Sequence, residues 1–175
     1  MIEIIFETGI NLIETLITTD FVTRYLGVKH KSAKSNIGFM FCWIISFIEL
    51  CVINSIVEFE TLGAYIPIII YFVYAMLCLK GGMWLKLWMA ILAQLIVYVI
   101  AITTNLIISY IIGYDPNDMI TVFNSTRIIG VIITKVILFY TTRMILKTKY
   151  KNPINNHKGL MLIFIPTISV ISLGA

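Results

Sequence analysis

The stretch WLKLWMAILAQLIVYVIAITTNLIISYII, Trp84 to Ile112, decides the fold class. Its one charge, Lys86, stands near the start, and the rest is apolar apart from Gln94, Thr103, Thr104, Asn105 and Ser109. A helix needs about 20 mostly apolar residues to cross the hydrocarbon core of a bilayer, and this stretch exceeds that length. Reading outward on both sides gives more of the same kind: Ile2 to Tyr25, Ile37 to Val57, Leu62 to Leu79, Met119 to Ile145 and Leu160 to Leu173. Leu62 to Leu79 is near the lower limit for a span. The last stretch is shorter still and runs almost to Gly174 and Ala175, which leads us to expect a chain cut short within its final helix.

Composition agrees. A hydrophobic fraction of 59%, a charged fraction of 13% and a mean hydropathy of +0.97 leave too little polar sequence to clothe a soluble core. The expected fold is all-α, one polytopic transmembrane bundle of about six helices filling residues 1–175, with the lipid bilayer as its first partner.

Basic residues set the expected topology. Lys29, Lys31 and Lys34 follow the first span, Lys80 and Lys86 flank the turn after the third, and Arg143, Lys147, Lys149, Lys151 and Lys158 lie between the fifth and sixth. These connections are assigned to the inside, because short cytoplasmic loops carry the excess of Lys and Arg. The other connections, Glu58-Phe59-Glu60 and Gly113 to Asp118, carry acidic residues and no Lys or Arg, and are assigned to the outside. The amino terminus has no basic region before the first span, so that span is expected to be retained, amino end outward.

Several function classes lack their signatures. The net charge of +4 and pI near 9.0 follow from topology and carry no basic-aromatic stripe, so no nucleic-acid partner is expected. Cys42, Cys51 and Cys78 lie in apolar spans without CxxC spacing and read as free thiols. His30 and His157 sit in basic or polar loops, read as solvated, and form no HExxH or metal-ligand spacing. Lys80-Gly81-Gly82-Met83 reads as a tight inner turn rather than a phosphate loop, Pro67 as a tolerated early helix proline, and Asn117 or Asp118 as the cap of the fifth span. No catalytic residue, metal or cofactor is expected.

Polar groups inside the spans are the informative chemistry. At about 100° per residue, Glu3, Glu7, Asn11, Glu14 and Thr18 fall within an arc of roughly 80° on the first helix. On the fifth, Asn124, Arg127, Thr134 and Lys135 share an arc of about 100°. A charge at bilayer depth costs at least about 2.5 kcal/mol on insertion scales, so such groups face the bundle interior and find partners. Both helices should run inward from outside, which places Glu7 level with Arg127 and Glu14 level with Lys135 and predicts those pairings. Glu49, in the outer half of the second span, competes for Arg127. Gln94, Tyr98, Ala101 and Asn105 share a face of the fourth span suited to interhelical packing. Glu7, Asn11, Glu14, Glu49, Asn124, Arg127 and Lys135 therefore make up the candidate intramembrane network or ligand pocket.

Ile10-Asn11-Leu12-Ile13-Glu14-Thr15, Phe21 to Gly27 before a lysine-rich turn, Lys80-Gly81-Gly82 before Lys86, and Ile163-Phe164-Ile165-Pro166-Thr167-Ile168-Ser169 point to one family. The chain resembles the membrane sensor region of GHKL-type bacterial sensor histidine kinases, the group of the accessory-gene-regulator peptide receptors. The resemblance implies a multi-pass sensor of the bacterial plasma membrane. It also implies a homodimer, a peptide or small-molecule signal, and a cytoplasmic response regulator reached through a kinase domain. That kinase is not in these residues: no ATP-binding glycine boxes occur, and Asn156-His157 lacks the context of a phosphoacceptor. The chain is expected to be the sensor portion without its kinase. The competing reading is a substrate-binding membrane subunit of an energy-coupling-factor type transporter, with Trp88, Tyr98 and Asn105 recruited to a pocket. A six-span peptidase using His30 with Cys42 or Cys78 is a weaker third, because neither cysteine has an activating arrangement around it.

Overall fold

In the computed structural model, residues 2–29, 33–54, 65–113 and 125–151 are described, and they form five helices: α1 Ile2–Leu26, α2 Ala33–Asn54, α3 Ile66–Cys78, α4 Met83–Ile112 and α5 Ser125–Lys151. No strand occurs among the described residues. The expected sixth span, 160–173, lies outside them, as do Asn124, both histidines and the proposed caps Asn117 and Asp118.

Three helical segments are long and apolar enough to cross a membrane: Ser35–Ile53, Met83–Ile112 and Ser125–Lys149. At about 1.5 Å per residue, even the shortest of these approaches the thickness of a hydrocarbon core. α1 is 25 residues long but too rich in charge for that set, carrying Glu3, Glu7, Glu14, Asp20 and Arg24. It is not set apart from the bundle on that account, because it packs against all four of the other helices, which follow one another around it in chain order.

α1, α3 and α5 run in one direction, and α2 and α4 run back between them. The ends of α1 and α3 are tied side by side by an isolated bridge between Val28 and Leu79. There the Lys29 N–H donates to the Cys78 carbonyl at 3.0 Å, and the Lys80 N–H donates to the Gly27 carbonyl at 2.8 Å. Gly27, at φ 77°, supplies the left-handed residue that lets the chain leave α1 toward this bridge. The bridge also corrects the sequence reading of the third span. The sequence reading carries this span from Leu62 to Leu79, of which 62–64 lie outside the described residues, whereas α3 stops at Cys78, because Leu79 turns extended to pair with Val28. In the next turn only Gly81 takes positive φ, at 105°; Gly82 does not.

A second correction concerns Arg143, Lys147 and Lys149. Assigned to a loop, they continue α5, where cations in the last turns meet the partial negative charge of the helix end. The Lys149 ammonium donates to the Tyr25 carbonyl and lies 4.3 Å from the centre of the Tyr25 ring. The Lys29 ammonium donates to the Met76 carbonyl at 2.6 Å, satisfying the last turn of α3. Lys29, Lys80, Lys86, Lys147 and Lys149 thus share one end of the bundle. The apolar core leans toward the same end and includes Val22, Leu26, Ala75, Leu79, Met89 and Leu92.

Candidate functional site

Three carboxylate–cation pairs run along the seam between α1 and α5. Near the amino end of α1 the Arg127 guanidinium donates to Glu7 Oε1 at 2.6 Å, with Glu3 Oε1 3.9 Å away. Midway, the Lys135 ammonium donates to Glu14. Toward the basic end Arg143 meets Asp20 Oδ2 at 3.0 Å, while Asp20 Oδ1 accepts from Arg24 at 2.7 Å. Partners rise together, Glu7, Glu14 and Asp20 against Arg127, Lys135 and Arg143, so the helices are parallel. The steps of seven and six residues on α1 match the steps of eight on α5 to within a few ångströms at about 1.5 Å per residue.

The middle pair is the most enclosed, with both side chains only 14% exposed, whereas Arg143 is 38% exposed. Enclosure decides the energetics. Two charges removed from water are tolerated when each satisfies the other, and removing one partner leaves the other stranded at a cost of about 3–5 kcal/mol. Threonines finish the polar face: Thr15, Thr18 and Thr19 donate their hydroxyl protons to the backbone carbonyls of Asn11, Glu14 and Thr15, respectively. Such bonds let hydroxyls sit inside a helix bundle without an unmet donor.

Of the sequence candidates, the structure brings together Glu7 with Arg127 and Glu14 with Lys135. Asn11 is buried, with its amide 3.9 Å from the Cys51 sulfur on α2. Glu49 does not take Glu7's place at Arg127; it lies with Glu14 around a small cavity between α1, α2, α3 and α4, bordered also by Ser46, Tyr71 and Gln94. Asp20 escaped the sequence reading because it lies about 100° from Glu3 on the helix wheel, outside the polar arc. Its partner was hidden by being counted among the loop cations. The i, i+4 spacing of Asp20 and Arg24 was the available signal.

A second, larger cavity of about 260 Å³ opens at the basic end between α1, α2 and α5, bordered by Leu16, Phe39, Phe139 and the Asp20–Arg143 pair. Trp88 and Tyr98, suggested for a transporter pocket, are 45% and 38% exposed on α4. Cys42, Cys51 and Cys78 are free thiols. Among the described residues no three His, Cys, Asp or Glu side chains converge as metal ligands would. Compared with family models, curated proteins and solved structures, the chain matches none. The functional reading therefore rests on the seam itself.

Proposed function

We propose that the chain is a multi-pass signal-sensing module of a bacterial plasma membrane, amino end outward, whose α1–α5 seam carries a signal from the outer mouth to the basic cytoplasmic end. The in-register ladder of ion pairs is the observation that supports this reading. Ion pairs fix discrete arrangements rather than a continuum, and Arg127 has two carboxylates, Glu7 and Glu3, one helical turn apart. Both already lie within 4 Å of the guanidinium, so a small movement of α5 along α1 trades the Glu7 contact for the Glu3 one. A peptide or small molecule that favours one arrangement biases the equilibrium by its differential affinity for the two. The clustering of Lys29, Lys80, Lys86, Lys147 and Lys149 at the opposite end supports the orientation.

In this reading the module works as a homodimer and reaches a response regulator only through a histidine kinase domain that these residues do not contain. The transport-subunit reading has less support, since Trp88 is 45% exposed on α4 and does not border the cavity between α1, α2, α3 and α4. The test is purification of the native product from its own membrane, followed by incubation with labelled ATP. Acid-labile phosphohistidine in the product or in a co-purifying chain is the expected result. Co-purification of a transport ATPase, with no phosphohistidine, contradicts it.

A further inference from the structure

Glu14 faces two ways. On one side it meets Lys135; on the other it borders the small cavity between α1, α2, α3 and α4, across which lies Glu49. Glu49 Oε1 and Ser46 Oγ are buried without a hydrogen-bond partner among the described residues, and no other buried side-chain oxygen or nitrogen there shares that condition. Ser46 is only 1% exposed. Its hydroxyl lies beside the Cys42 thiol and the Tyr71 hydroxyl but meets neither at hydrogen-bonding geometry. Two orphaned oxygens bordering one small space carry a desolvation cost that a ligand would remove.

The chemistry of that ligand follows from the lining. Every polar group around the cavity offers oxygen, among them the Glu14 and Glu49 carboxylates, the Ser46, Thr18 and Tyr71 hydroxyls, and the Gln94 amide. Thr18 has already given its proton to the Glu14 carbonyl, so its lone pairs are what it can turn toward the cavity. Oxygen-only sites suit hard cations, not transition metals. Lys135 cancels Glu14, so Glu49, ionised on taking up a cation, would bring one net negative charge, which matches a monovalent ion rather than a divalent one. The volume, about 10 Å³, admits a single water-sized sphere and so a dehydrated ion without its water shell, and the strong field of carboxylate oxygen favours the smaller sodium over potassium.

We propose that this cavity binds a sodium ion held by Glu49 and Ser46 and balanced against the neighbouring Glu14–Lys135 pair. The proposal is independent of the sensor reading, since such an ion would lock α2 to α1 whatever the bundle transmits. The experiment uses the full chain in lipid nanodiscs and follows its thermal midpoint in sodium, potassium or choline chloride at equal ionic strength, with the metal ions alone as probes. Sodium is expected to raise the midpoint saturably above choline, with potassium well behind. Glu49→Gln should abolish the difference. Ser46→Ala, which removes a neutral ligand and is the milder variant, should require about tenfold more sodium for half the effect, the factor that corresponds to about 1.4 kcal/mol. Equal midpoints in sodium and choline for the unaltered chain would overturn the proposal and leave only a bound water. A sodium effect unchanged in Ser46→Ala, or matched by potassium, would overturn it as well.

Discussion

On one side α1 gives Val22 and Leu26 to the apolar core it shares with α3 and α4; toward α5 it presents Glu7, Glu14 and Asp20. The first seam is closed by volume. Its residues, with Ala75, Leu79, Met89 and Leu92, are nearly inaccessible and are further tied by the Val28–Leu79 bridge. The second seam is closed by direction, through pairs that form only when the helices stand at matching height. Between helices in lipid, apolar contact has no water-driven force behind it and is held by close packing, whereas a stranded charge is heavily penalised. Close-packed and bridged, the apolar seam holds α1 at one height. Along α5 any movement must find new partners for the charges, and under the proposed sensor reading this difference suits one seam to anchoring and the other to switching.

The sharpest way to break the comparison is Lys135→Glu, which sets a second carboxylate against Glu14. The loss should exceed the about 3–5 kcal/mol expected from simple removal of one partner, and should appear as failure to accumulate in the membrane. Next comes the apolar seam. Leu92→Ala should cost about 2–3 kcal/mol, at the low end for such truncations because lipid is as apolar as leucine and chiefly packing is lost. Denaturant titration in mixed micelles measures it, and a larger loss than for Lys135→Glu would reverse the ranking of the two seams.

Gly38→Ala sharpens the picture where α2 crosses α3. An added Cβ would stand 2.6 Å from the Cys78 sulfur, so overpacking of about 1–3 kcal/mol is expected, and Cys78→Ala in the same chain should recover most of it. The smallest effect belongs to Asp20→Asn at the more exposed end of the ladder, about 0.2–1 kcal/mol, diminishing further in high salt. A salt-insensitive loss as large as that at Lys135 would mean that the ladder is uniformly buried.

Much of this was legible in the chain, for identifiable reasons. Helix positions follow from apolar length, and α4 begins one residue before the expected Trp84 and ends at the expected Ile112. The pairings at Glu7 and Glu14 follow from helical periodicity combined with the direction of the first and fifth spans. What sequence concealed was tertiary. Nothing local to Leu79 announces that it will leave the helix to meet Val28, a contact made across two connections. Arg143 reads equally as a loop cation or a ladder rung until α5 is seen to continue to Lys151. Glu49 was recognisable as an intramembrane acid, but its position beside Glu14, rather than at Arg127, depends on how α2 leans across α1.

The most direct measurement of the central claim is reciprocal exchange, Glu14→Lys together with Lys135→Glu, read as membrane level and thermal midpoint beside each single reversal. If α1 and α5 stand in parallel with these residues opposed, each single reversal is strongly depleted and the double exchange recovers at least half of the original level. A double exchange no better than the worse single reversal would mean that Glu14 and Lys135 do not face each other, and the ladder would fall with them.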